Sequence, residues 1–577
     1  MQKLREMIDS LDAKPIRVCS RLSGRYEQGG IVYHIGGITG SEGKTADITV
    51  EIPTVRLWGG KTIAEADKTA ASSHILREFA VAAYMANDEM QQSEDNVQKG
   101  CFLVYKFSQR VLANSVVTIR GNTCAVRLRV RLPVGNTAFA GGSMAAMSKK
   151  AARAAHDAQK RGVIPAKALR ILLTKNLPKL AEDFAAQFSA DALDESVRLH
   201  QNQRYLRQYL RKYNGAAFIA NGACLPRRGT TDFRDPRGVV PFQSPPSLEE
   251  EIALPDGTSI RGMLLPAGIT VITGDAYHGK STILAALREG VYDHIPGDGR
   301  EYVIADATAA EIRAEDGRSI RETDISFFLR QFPGGERDAH CFTTDSASGS
   351  TSQAAAVAEA LESGCRLMLF DEDRSANNFM FKDDAMRAAI PHATTQPFID
   401  CARMFYEAHG ISSILVAGAS GEFFGIADRV ILVDSFLPTE YDAPKRERPP
   451  TEVFRPHPRH ADLRGLRELC AYRNMAIRDD NTIRLGGETI PVGDLIPNPS
   501  RGQMDFICSF LYWLTVIEPP KRTPLPNAVR ALYRRIETDG IGLIHQHRLP
   551  GAGEIEFVRP EEMLRILYRL REVRFLR

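Results

Sequence analysis

Residues 274–281 read Gly-Asp-Ala-Tyr-His-Gly-Lys-Ser. The string fits G-x-x-x-x-G-K-[ST], the pattern of a phosphate-binding loop. Before it runs Ile269-Thr270-Val271-Ile272, apolar and β-branched; after it runs Thr282-Ile283-Leu284-Ala285-Ala286-Leu287, a good helix former. Strand, glycine loop, helix is the order the pattern requires, which a chance match in a Gly-rich turn would not reproduce. Gly274 and Gly279 let the backbone bend until N–H groups along Asp275, Ala276, Tyr277, His278 and Gly279 face an anion. The helix start adds the positive end of its dipole. Lys280 is placed to reach the β- and γ-phosphates, Ser281 to hold Mg2+ through its hydroxyl, and Thr282 to extend the cradle.

Further along, Arg366-Leu367-Met368-Leu369-Phe370-Asp371-Glu372 is an apolar strand ending in two carboxylates. A buried strand with an acidic end is the plainer explanation. Its place downstream of the loop favours a catalytic pair instead, with Asp371 on Mg2+ beside Ser281 and Glu372 accepting the proton of the attacking water. Between the two motifs lies Ser346-Ala347-Ser348-Gly349-Ser350-Thr351-Ser352-Gln353, followed by a helical stretch at 354–363. Taken alone this is a Ser-rich loop with an N-cap. Just before the carboxylate strand it resembles the signature loop of ABC-class ATPases, with Ser348, Gly349 and Ser350 as a second anion site. Arg374-Ser375-Ala376-Asn377-Asn378 resembles the loop that follows in that class. Strand 411–417 ends in Gly418-Ala419-Ser420-Gly421, where transporters place a histidine. Ser420 is the candidate there, and slow hydrolysis is expected.

A chain of 577 residues needs more than one core. With 43% hydrophobic and 25% charged residues it is globular rather than disordered. The longest apolar run, 506–517, is well short of the ~20 residues of a membrane span, so a soluble protein is expected. Nine cysteines without a C-x-x-C pair suggest neither a disulfide framework nor a zinc site. Lys3 and Arg5 mix with Glu6, Asp9 and Asp12, so the N-terminus does not read as a targeting peptide; a transit sequence already removed would leave no trace.

The net charge of +3 conceals an asymmetry. Residues 1–245 carry 36 basic against 22 acidic groups (+14), and the remainder 38 against 49 (−11). The window 101–179 holds 15 basic residues and one acid, Asp157. Such a concentrated field usually meets a polyanion. Within it, Val126-Arg127-Leu128-Arg129-Val130-Arg131-Leu132 alternates, so Arg127, Arg129 and Arg131 share one face of a strand. Helical regions at 144–160 and 166–187 add Lys149, Lys150, Arg153, Lys160 and Arg161, then Lys167, Arg170, Lys175 and Lys179. A solvated face is the plainer account of either element; together they favour a surface that tracks phosphates, with backbone contacts dominating. Strands are also expected at 30–35, 46–52 and 115–120, and helices at 72–86 and 196–213.

The segments at 249–254, 301–305, 366–370, 412–417 and 429–433 alternate with helical stretches, the pattern of a parallel α/β core. The expected organisation is a basic α+β domain at 1–185, an ABC-type α/β nucleotide-binding domain at 186–440, and a small mixed domain at 441–577. The last carries helices at 506–517 and 560–575 that suit packing or dimerisation.

Residues 291–301 (Val-Tyr-Asp-His-Ile-Pro-Gly-Asp-Gly-Arg-Glu), 312–318, Ala347 to Gln353, Asp371-Glu372-Asp373 and Asn378-Phe379-Met380 together resemble the isolated family described as the predicted ATPase of the ABC class. The likeness is strong over 200–435 and weak in the N-terminal region. Departures at Asp275-Ala276, Phe327 and Asn377 remove no phosphate or Mg2+ ligand. The basic N-terminal region with a C-terminal extension is similar to a kinetoplastid mitochondrial branch associated with RNA editing. That resemblance implies a mitochondrial matrix location (the alternative being cytoplasmic), an RNA partner and a larger ribonucleoprotein complex.

In ABC proteins the signature loop of one nucleotide domain caps ATP on another. One of each per chain implies a head-to-tail homodimer with two sandwiched ATP or ADP molecules. The function expected is Mg-ATP hydrolysis coupled to RNA binding or remodelling, with no membrane partner. A nucleotide-gated scaffold and a P-loop phosphotransferase are the rivals.

Overall fold

The computed structural model describes residues 1–39, 45–92, 100–104, 108–134, 163–228, 238–330, 332, 338–390, 393–446, 448, 451–457, 459–470, 474–517, 523–546 and 553–576. The chain divides into two compact units. One comprises Met1–Phe107, Leu112–Val197 and Pro550–Glu556; the other comprises Ser108–Val111, Arg198–Leu549 and Phe557–Arg577. Residues 441–549 fall within the second unit.

The first unit is built on an antiparallel sheet in the order Gly24–Gln28, Ile31–Thr39, Thr45–Pro53, Thr123–Arg131, Cys101–Leu103, with Val117–Arg120 also paired to Thr123–Arg131. Alternation decides which face is inside. In Thr123–Arg131, Cys124, Val126, Leu128 and Val130 are buried, and the arginines between them point the other way. The buried face joins a core with Ile75, Leu76 and Phe79 of the helix Lys68–Gln92 and with Leu177, Leu180 and Phe184. The expected helix at 166–187 is present, with a π turn at Leu172–Asn176 between Ala166–Ile171 and Leu177–Gln187.

The second unit holds a six-stranded sheet in the order Ala310–Glu311, Leu367–Asp371, Ser412–Ala417, Ile269–Thr273, Arg429–Asp434, Leu437–Glu440. All neighbours are parallel except the last pair. Two segments expected in this core lie elsewhere. Glu249–Ala253 and Val303–Ala305 belong to a four-stranded antiparallel sheet with Gly215–Ala220 and Ser259–Pro266. The composition explains the difference. Ser412–Ala417 is buried throughout, as a strand covered on both faces must be, whereas Glu249–Ala253 exposes three of its residues and buries Ile252. The expected helix at 560–575 ends at Leu567; the chain then forms the strand Arg574–Leu576, paired with His460–Asp462. The aromatic helix is longer than expected, Arg501–Ile517, and buries Phe506, Phe510 and Trp513.

His74, on the long helix of the first unit, sits against Phe188 with Nδ1 3.0 Å from Ser196 Oγ. Burial, helped by the Arg77 guanidinium, pushes its pKa from 6.5 down to about 4. A histidine depressed in the folded state takes up a proton on unfolding. Its contribution is thus complete above about 6.5 and is lost as pH falls toward 4. The melting temperature of the wild-type protein should therefore drop more steeply between pH 6.5 and 4 than that of His74→Gln, by the equivalent of about 2 kcal/mol. Parallel slopes in a thermal-melt series would remove His74 from the account.

Candidate active site

The parallel strands set the site. Thr273 pairs with Ala417, and Asp371 pairs with Val416, so the ends of three strands come to one edge of the sheet. In an open α/β sheet this carboxyl edge is where ligands bind. From it emerge the loop 274–279, the carboxylates Asp371 and Glu372, and the turn starting at Gly418.

The loop owes its shape to three residues with positive φ: Gly274 at 142°, Tyr277 at 65° and Gly279 at 101°. A Cβ on Gly274 would lie 2.2 Å from the Val433 carbonyl oxygen, and one on Gly279 would lie 3.1 Å from the Phe436 ring. Neither position takes another residue without displacement. Gly279 caps the helix Lys280–Glu289, whose first turn points its free N–H groups into the loop. Lys280 spans the loop and donates from Nζ to the Asp275 carbonyl at 2.6 Å, a bond that a phosphate oxygen would compete for. His278 ties the loop to the neighbouring hairpin. Its Nδ1 is 3.2 Å from the Ser435 amide and 3.1 Å from Asp434 Oδ1, so it accepts from the first when bare and donates to the second when it carries the hydrogen. Tyr277 projects outward and is 96% exposed.

Asp371 is 8% exposed, and burial raises its carboxyl above the usual aspartate range, against the opposing hydrogen bond it accepts from the Asp373 amide. A cation there would offset that cost. The residues fit Mg2+, which the Asp371 carboxylate and the Ser281 hydroxyl at the helix start would hold. Glu372 Oε2 accepts two backbone bonds, from Gly418 N at 2.7 Å and Ala419 N at 2.9 Å. The turn after strand Ser412–Ala417 therefore meets Glu372 through its main chain. Ser420 Oγ accepts from the Glu422 amide at 3.2 Å, just ahead of the short helix Glu422–Ile426.

Ser348 is the N-cap of the helix Gly349–Glu362, and its hydroxyl lies 2.9 Å from Thr351 Oγ1. Gly349 lies against Asp316, Ala314 and Ala376. Sequence reasoning overlooked two contributions to this site. One is the pair of Gly418 and Ala419 amides, invisible because backbone donors carry no residue signature. The other is a charge cluster in which Arg374 and Arg288 both pair with buried Glu311, at 2.5 and 3.0 Å. The Arg288-Glu289 pair at the end of an otherwise largely apolar helical stretch was the available signal.

Of the expected nucleic-acid residues, Arg127, Arg129 and Arg131 share the solvent side of their strand. The row is partly neutralised: Arg129 Nε bonds Asp47 Oδ1 at 3.1 Å, and Arg127 lies 3.7 Å from Glu554. Arg170 pairs with Asp9 and Lys179 with Glu89 and Asp183. Lys149, Lys150, Arg153, Lys160 and Arg161 lie outside the described residues.

Residues 189–456 match the family model ABC_ATPase, a P-loop domain. An uncharacterized protein of Methanocaldococcus jannaschii is 33% identical over 221 residues, covering 36% of this chain and 49% of its own length. The chain thus spans about half of that relative. Among solved structures, a chain described as a metal-chelate type ABC transporter in an inward-facing conformation is 15% identical, covering 40% of this chain and 84% of that one. Its TM-score of 0.25 carries no argument. The parallel sheet, the phosphate loop, the carboxylate strand and the family match make segment 189–456 a P-loop domain of the ABC ATPase class. Its signature and flanking motifs resemble those of the isolated ABC-class family, and no helix among the described residues is long and apolar enough to cross a membrane.

Gly274→Ala should destabilise this domain by roughly 3 kcal/mol, because the added methyl meets a backbone oxygen at a φ only glycine tolerates. It should also abolish binding of a fluorescent ATP analogue. A variant that melts and binds like the wild type would show that the loop is not fixed as described.

Proposed function

We propose that the protein binds and hydrolyses Mg-ATP as a head-to-tail homodimer and couples that cycle to RNA, bound through the basic N-terminal region. The observation that carries the reading is the convergence of Lys280, Ser281, Asp371 and Glu372 on one edge of the parallel sheet, with a serine-capped signature helix in the same domain. Lys280 and the loop amides hold the phosphates. Mg2+, held by Ser281 and Asp371, neutralises phosphate charge when bound. Glu372 takes the proton from water, and Ser348, Gly349 and Ser350 of the twin close over the triphosphate. The RNA part rests on the window 101–179, with 15 basic residues against one acid, and the mitochondrial setting on the resemblance alone.

A second reading has support of its own. Arg127 and Arg129 already have carboxylate partners, which favours a nucleotide-gated scaffold whose basic surface is structural.

Filter binding against RNA and DNA, at two salt concentrations and with ATP or ADP, separates the two. The RNA reading expects affinity to fall steeply with salt, at about 0.7 decade per decade of salt for each phosphate contacted. Reversing the basic charges across 149–179 should abolish retention. Retention unaffected by charge reversal, or absent at low salt, would leave the scaffold. In parallel, Glu372→Gln should hold ATP within about twofold of the wild-type affinity while phosphate release falls at least ~100-fold. Transfer of phosphate to an acceptor, with no free phosphate, would instead indicate a phosphotransferase.

A further inference from the structure

The helix Gly349–Glu362 begins at the signature turn, and Gln353 on its first turns is fully buried. Its side chain reaches the turn that follows the carboxylate strand. Gln353 Oε1 accepts from the Ala376 amide at 2.9 Å, and Nε2 donates to Ser375 Oγ at 3.0 Å. Ser375 Oγ donates in turn to the Asp371 carbonyl at 2.8 Å, and the Ser375 amide donates to the Glu372 carbonyl at 3.1 Å. The remaining hydrogen on Nε2 faces Met380 Sδ at 3.4 Å.

The direction of this chain is fixed by chemistry. A backbone N–H only donates, so the oxygen of the amide must face Ala376 and the nitrogen must face Ser375. The Ser375 hydroxyl has one hydrogen, given to the Asp371 carbonyl, so at its own oxygen it needs a donor. A carboxamide supplies an acceptor and a donor from one planar group. An ionised carboxylate of the same size supplies acceptors only and would set its charge against the serine oxygen. Neighbouring Ser352 fixes the helix start independently. Its hydroxyl accepts from the Glu315 amide at 2.8 Å and donates to the Gly349 carbonyl at 2.7 Å. The helix beneath Gln353 is therefore held on both sides, and the carboxamide transmits its position to the strand end.

We propose that Gln353 is a positioning residue for ATP hydrolysis: through Ser375 it holds the turn that orients Asp371 and Glu372, linking the signature helix to the carboxylate pair. The proposal rests on the hydrolysis reading above. It assigns Gln353 no contact with nucleotide or water. An effect on kcat with little effect on binding is what distinguishes it from a residue that merely fills the core.

The test uses full-length Gln353→Glu, Ser375→Ala and the double variant. For each, kcat and KM for ATP, the affinity for a fluorescent ATP analogue and the melting temperature are measured. Gln353→Glu and Ser375→Ala should each lower kcat at least tenfold with nucleotide affinity within twofold of wild type. The double variant should be no worse than the poorer single, because both break one chain. Ser375→Thr, which keeps the hydroxyl, should restore most of kcat, and it serves where Gln353→Glu does not fold. Losses that multiply in the double variant, a wild-type kcat in either single, or affinity falling in step with the melting temperature would overturn the assignment. A wild-type protein without turnover sinks the hydrolysis reading itself, and this role with it. Turnover with multiplying losses removes only the role of Gln353.

Discussion

The parallel pairing of Ile269–Thr273, Ser412–Ala417 and Leu367–Asp371 is the constraint on which the site depends. Side chains alternate along a strand, so a slip of one residue would exchange the side chains packed on the two faces and shift the strand ends relative to one another. Burial on both faces forbids that slip: Val271, Ile272, Met368, Phe370, Leu415 and Val416 are all within the core. With the register locked, the phosphate loop and the two carboxylates have only one place to be. The hydrophobic effect supplies the energy, and backbone hydrogen bonding supplies the alignment.

Around that sheet the second unit buries charge in matched pairs. Arg110 meets Glu289, Arg318 meets Glu359, Arg459 meets Glu362 and Arg569 meets Glu315, each with little exposure on either side. Such pairs add little net stability over an apolar substitute, yet removing one partner leaves a charge stranded in a poor solvent. They specify arrangement. Arg559, Arg565 and Arg569, in and around the helix Pro560–Leu567, bond the Ala307 carbonyl, the Glu311 carbonyl and the Glu315 carboxylate. Those acceptors lie on and to either side of the strand Ala310–Glu311, which pairs with Leu367–Asp371. The C-terminal region, in which the sequence shows no chemistry, thus braces the outer edge of the parallel sheet.

In the first unit the physics is simpler. Alternation puts apolar side chains on one face and arginines on the other, and the arginines recruit acids where acids are within reach. Asp47 is directly opposite Arg129 across the strand pair, so their bond follows from register. Glu554 approaches Arg127 from more than 400 residues away in sequence, a contact no local pattern announces.

Residues 274–281 and 366–372 were enough to set the α/β class and to single out a candidate nucleotide site. Each motif is a local demand: glycines at positive φ, a lysine at a helix start, acids at the end of an apolar strand. The long helices and the alternating strand 123–131 were legible for the same reason, since periodicity is a property of neighbours. Tertiary structure alone decided which sheet received Glu249–Ala253 and Val303–Ala305, that the last helix stops at Leu567, and that Gly418 and Ala419 grip Glu372. It also made a structural link of Gln353 and pairs of the buried charges. These depend on partners distant in sequence, and on backbone donors that every residue carries alike.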